Sequence, residues 1–86
     1  MGLAEQLKNE VNVLNELPWL KEGVINGIKN YGRYRLICDT HISKPNRNFS
    51  VPYKYWTPIS DWARKEGFSV SADYNSYGVK HLVIEL

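Results

Sequence analysis

A small α+β domain, with helices covering one face of a mainly antiparallel three-stranded sheet in the order ααβαββ, is predicted by three features of the sequence. Apolar residues recur at helical spacing through the first third, alternate from Arg33 to Ile42, and alternate again in two runs after Gly67. Turn formers separate the runs, and neither a linker nor an internal repeat interrupts them. The whole chain, 86 residues, is therefore expected to be a single domain.

Leu3, Leu7, Val11 and Leu14 share one helical face while Glu5, Lys8, Asn9, Glu10 and Asn12 fill the other, which predicts a first amphipathic helix ending near Leu14 to Glu16. Pro18 suits the first turn of a second helix, whose apolar face would be Trp19, Leu20, Val24, Ile25 and Ile28. Gly23 and Gly27 lower its intrinsic stability by about 1 kcal/mol each relative to Ala, or else admit another backbone at close range. Gly32 is the expected stop.

Period two then sets in. Tyr34, Leu36, Cys38, Thr40 and Ile42 fall on one face of a strand, and Arg33, Arg35, Ile37, Asp39 and His41 on the other. Ser43 to Pro52, with Pro45, Asn46, Asn48 and Pro52, has no sustained period and is expected to be an exposed loop. Thr57-Pro58 has the form of a helix start, a hydroxyl cap before a proline, with Ile59, Trp62 and Ala63 facing inward and Gly67 as the stop. Phe68, Val70 and Ala72 alternate with serines, and Val79 to Leu86 alternates again, so Asp73 to Gly78 reads as a hairpin turn.

Net charge is only +2, but it is unevenly placed. Residues 29–54 set Lys29, Arg33, Arg35, Lys44, Arg47 and Lys54 against the single acid Asp39, a local excess of +5. Tyr31, Tyr34, Phe49, Tyr53 and Tyr55 are interleaved with these cations. The lone Cys38 permits no internal disulfide, so a reducing compartment is expected. The amino-terminal stretch lacks the basic and apolar regions of a secretory signal, and no run approaches the roughly 20 apolar residues of a membrane span. A cytoplasmic protein with no membrane contact is the expectation.

The second helix with Tyr31-Gly32-Arg33-Tyr34-Arg35, the run Trp62-Ala63-Arg64-Lys65-Glu66-Gly67-Phe68-Ser69-Val70 and the closing hairpin His81-Leu82-Val83-Ile84-Glu85-Leu86 together resemble small accessory proteins of bacteriophages. The likeness is one of layout and spans about two-thirds of the chain. It implies a short non-enzymatic protein that binds a host or phage component, and it carries over no functional residue.

For catalysis the chain offers little. Asp39 and His41 share a strand face, but no nucleophile or third metal ligand has suitable spacing, and His81 joins them only if its strand neighbours theirs. Asp61 and Glu66 do not share a helix face well, the serines lack a Gly-x-Ser-x-Gly context, and Gly23 and Gly27 lack the Gly-Lys-Ser/Thr ending of a phosphate loop. Neither metal nor cofactor is expected.

The basic, aromatic middle remains. Arg33, Arg35, Lys44, Arg47, Tyr53 and Lys54 form the expected contact set. Tyr, Trp and Arg are enriched at interface cores, which favours a protein partner with an acidic surface, modulated or inhibited by occupation of that surface. Nucleic acid is the alternative, since Arg33 and Arg35 would stand about 7 Å apart, near the spacing of successive phosphates, beside rings able to stack on bases. Equally, a core this small needs its aromatics, and the same rings serve as packing. An exposed edge strand would offer a homodimer as a third mode of association.

Overall fold

The structure is a computed structural model and describes residues 13–86. Most of the predicted first helix, including Leu3, Leu7 and Val11, lies outside the described residues. Residues 13–16 are helical, and Val13 and Leu17, one turn apart, are fully buried while Leu14 packs against the core from its margin.

Helix α1 (Leu20–Tyr31) buries Leu20, Gly23 and Val24 and ends at Gly32, whose φ of 78° lets its N–H bond the Ile28 carbonyl. Ile25, expected on the apolar face, is 40% exposed, because it lies about 100° around the helix from Val24. Gly27 takes the second of the two expected roles, whereas Gly23 faces the side chains of Asn48 and Tyr34. A Cβ on Gly27 would lie 3.0 Å from the Arg33 carbonyl oxygen and 3.1 Å from the Tyr34 Cβ, so the helix packs directly on the following strand.

That strand, β1 (Arg33–Asp39), buries Tyr34, Leu36 and Cys38 as its alternation predicts, but it stops at Asp39 rather than Ile42. The Asp39 carboxylate and carbonyl there accept the backbone N–H groups of His41 (3.0 Å) and Ile42 (3.3 Å), which turns the chain. After residues 40–49 comes the main correction to the predicted fold. Ser50–Pro52, expected to be loop, is a buried strand, β2, parallel to β1 with Cys38 opposite Val51. At three residues it is too short to show a period, and Asn48 at φ 57° makes the tight turn that delivers it.

A 3-10 turn, Tyr53–Tyr55, runs into helix α2 (Trp56–Lys65). The expected Thr57 cap is not used: Tyr55 precedes the helix without a side-chain cap, and Thr57 and Pro58 sit within the first turn, where a missing N–H costs nothing. Strands β3 (Ser69–Tyr74) and β4 (Lys80–Glu85) form the predicted hairpin, its turn starting after Tyr74 rather than at Asp73.

The sheet is thus four-stranded and mixed, in the order β2-β1-β4-β3, instead of three-stranded and mainly antiparallel. Leu36 and Cys38 of β1, Leu82 and Ile84 of β4 and Val51 of β2 meet Leu20 and Val24 of α1 and Ile59, Trp62 and Ala63 of α2 in one core. The other face carries no described helix.

Candidate recognition surface

Lys80 opens β4 on the same face as Leu82 and Ile84, since alternate residues of a strand share a face. Leu82 and Ile84 are sealed by the helices; Lys80, at the strand's start, instead meets the rings brought in by the 3-10 turn. Its Nζ lies 4.2 Å from the Trp56 ring centre and 5.2 Å from that of Tyr53, and donates to the Tyr53 hydroxyl at 3.2 Å. The two rings stack, 6.0 Å apart and 14° from parallel. Tyr74 stands opposite Lys80 across the hairpin, 60% exposed. Next to this group Lys54 places its amine 5.3 Å from the Tyr55 ring.

The hydrogen bond that the ammonium donates to Tyr53 raises the pKa of Lys80 above the usual lysine value, against a smaller opposing effect of desolvation, so the amine is charged at neutral pH. Chemically the cluster combines a positive centre with flat, partly exposed rings whose own polar tip faces that centre. Such a surface accepts a carboxylate or phosphate while covering the apolar atoms beside it.

The expected contact residues fall in three places. Tyr53 and Lys54 belong to this cluster. Lys44 and Arg47 project from the exposed segment 40–49, with no ion pair among the described residues. Arg33 and Arg35 stand on the opposite face, which carries no described helix, and both are paired there: Arg35 with Asp73 at 2.8 Å and Arg33 with Glu85 at 4.0 Å. The Arg35–Asp73 pair spans β4 next to Val83, which is only 4% exposed. Trp56, Tyr74 and Lys80, which complete the cluster, escaped sequence reasoning, because Lys80 is the lone cation of its strand and lies 27 residues from Tyr53.

The remaining candidates form no constellation. His41 Nδ1 is 3.9 Å from Asp39 Oδ1, but the imidazole is 88% exposed and no further polar side chain among the described residues bonds it. The Asp39 carboxyl is held below its ordinary range, chiefly by the His41 backbone N–H. Asp61 pairs with Arg64 on the surface of α2 at 3.9 Å. Cys38 is buried, its thiol directed at the carbonyls of Pro52 and Tyr53, and burial pushes its pKa up to about 11. Among the described residues no group of three or more His, Cys, Asp or Glu side chains is placed to hold a metal ion, and no helix is long and apolar enough to cross a membrane. No protein family, curated protein or solved structure matches the chain.

Proposed function

We propose that this chain is a non-enzymatic binding module that acts by seating its Lys80 cluster on an acidic surface patch of a partner protein. The observation that carries this reading is the placement of a charged amine beside two stacked rings, near the Trp56 ring and at the Tyr53 hydroxyl, where Tyr53 is 40% exposed. Tyr and Trp are among the side chains that dominate interface energetics, and the amine beside them supplies the charge for an acidic group. Lys54 adds a second amine next to the cluster, and Lys44 and Arg47, on the separate 40–49 segment, add positive charge that steers an acidic partner.

A protein partner is favoured over nucleic acid by the state of the strand arginines. Arg33 and Arg35, the residues best spaced for phosphates, already face the chain's own Glu85 and Asp73.

Lys80→Met keeps the stem and removes the charge; Tyr53→Ala removes one ring. Each is expected to weaken capture of the protein partner from a cell lysate by about tenfold or more, with circular dichroism unchanged. Undiminished capture by both variants would reject the cluster as the site. Salt-sensitive binding of single-stranded nucleic acid that disappears in the same variants would transfer the site to the nucleic-acid reading.

A further inference from the structure

We infer that the outer edge of β3 is a dimerisation edge that pairs antiparallel with β3 of a second copy, about a dyad at Ser71. The two edges of the sheet differ. Strand β2 is blunted: it has three residues, all buried, and ends in Pro52. Strand β3 has six residues, Ser69–Tyr74, with neither proline nor lysine, and all but Val70 are exposed. Its single charge, Asp73, is drawn across the sheet to Arg35. Among the described residues the usual devices that keep a strand edge from pairing are therefore present on one side and missing on the other.

Register follows from hydrogen bonding already made. The Asn75 N–H bonds the Val79 carbonyl, so in this antiparallel ladder the backbone groups of Asp73, Ser71 and Ser69 point to β4, and those of Val70, Ala72 and Tyr74 point outward. The Tyr74 N–H is taken by Asp73 Oδ1 at 2.8 Å, which leaves Val70 and Ala72 as the free outward pair. A twofold axis normal to the sheet keeps covered faces on the same side and allows only a residue, not a peptide bond, at its centre. With Ser71 at the centre, Val70 and Ala72 exchange both backbone bonds with Ala72 and Val70 of the second copy. An axis at Ala72 would instead require the Tyr74 N–H that is already used.

Side chains agree with this register. Ser71 meets itself, Ser69 comes opposite Asp73 as a hydroxyl able to donate to a carboxylate, and no like charges are opposed. On the helix-covered side Phe68, partly buried, comes opposite Tyr74, whose ring is 60% exposed in the single chain. The blunted β2 edge stops growth at two copies. A second copy fits better than an unrelated extended segment, because each outward donor and each side chain finds its counterpart in the same strand.

Sedimentation velocity across a concentration series tests the assignment. The unaltered chain is expected to dimerise, and Ser71→Lys and Ser71→Glu, exposed and distant from the core, are each expected to weaken the dimer by roughly fivefold or more. An equimolar mixture of these two variants restores it. Ser71→Cys is expected to give a disulfide-linked dimer on mild oxidation, since a central non-hydrogen-bonded pair brings its Cα atoms to about 4.5 Å. Ala72→Pro removes an outward N–H without touching the β3–β4 ladder and is expected to leave a folded monomer. A chain that stays monomeric at every soluble concentration, a dimer indifferent to Ala72→Pro and to both charges, or a monomer that takes an extended peptide along β3 instead would each overturn it.

Discussion

Gly27 is judged by two effects of opposite sign. In an exposed helix interior, Ala would be more stable than Gly by about 1 kcal/mol. Here the added methyl would press on the Arg33 carbonyl oxygen and the Tyr34 Cβ, neither of which is the free end of a flexible side chain. Tyr34 is 5% exposed and locked in the core, so overpacking outweighs propensity. Gly27→Ala is expected to destabilise by about 1 kcal/mol, lowering the melting temperature by roughly 4–8 °C in a scan followed by circular dichroism. A more stable variant would show that the helix and strand are not in close contact. Asn48 illustrates the same dependence on a distant neighbour: its side-chain oxygen accepts from the Tyr34 hydroxyl at 3.1 Å while its backbone holds φ 57°, two demands that Asn meets and most residues do not.

Among the elements, the β3–β4 hairpin is the one whose turn chemistry can be written down residue by residue. The Asn75 side-chain oxygen accepts the backbone N–H groups of Tyr77 (2.9 Å) and Val79 (3.0 Å), and Gly78 takes φ 78°. Asn75→Ala removes both acceptor contacts and is expected to cost about 1 kcal/mol, since the released donors are near the surface and water replaces the oxygen. Hydrogen exchange is expected to rise first at Val79 and Lys80 and least in β1; uniform exchange would argue that the turn does not govern the hairpin. Because Lys80 follows this turn directly, the same substitution also loosens the amine from Tyr53 and Trp56, and partner capture should weaken with it. Strand β2 behaves differently. It owes its place to burial of Val51 and to pairing with β1, with no local pattern of its own.

For the whole molecule, alkaline pH is the informative variable. The Cys38 thiol, buried beside the Pro52 and Tyr53 carbonyls, has its pKa raised from 9.0 to about 11 by burial, with the Lys80 charge acting weakly in the opposite direction. Above pH 9.0 the unfolded chain releases a proton that the folded chain retains, so the contribution to stability is complete below that pH and is lost as pH rises toward about 11. Tyr34 and Tyr55, both raised by burial, add losses of the same sign. Urea unfolding as a function of pH is expected to show stability declining over this interval, with a shallower decline in Cys38→Ala; identical slopes would mean that the thiol titrates as it does in the unfolded chain.

Charge at this scale differs from charge along the sequence. The central segment counts +5, yet two of its cations are compensated by acids from β3 and β4, Arg35 by a residue 38 positions away. The other four lie apart, Lys29 in the last turn of α1, Lys44 and Arg47 in the 40–49 segment and Lys54 at the end of the sheet near Lys80. Two of the five residues of the candidate surface were thus readable in advance: Tyr53 and Lys54 sit in a stretch whose composition already marks it. Lys80 was not, because a single lysine between a turn and an apolar strand has nothing in its neighbourhood to distinguish it from a solvated charge.

The amino-acid sequence by itself determined helices α1 and α2, the alternation of β1, the closing hairpin and the glycine stops, because each rests on contacts within a turn or two of chain or on a period that the chain displays directly. Only the tertiary structure decided that Ser50–Pro52 is a strand, that Arg33 and Arg35 are matched by acids, and that Lys80 stands against Tyr53 and Trp56. These are pairings between distant residues, fixed by which strands lie side by side, and a sheet order of β2-β1-β4-β3 is not written in any local run of residues.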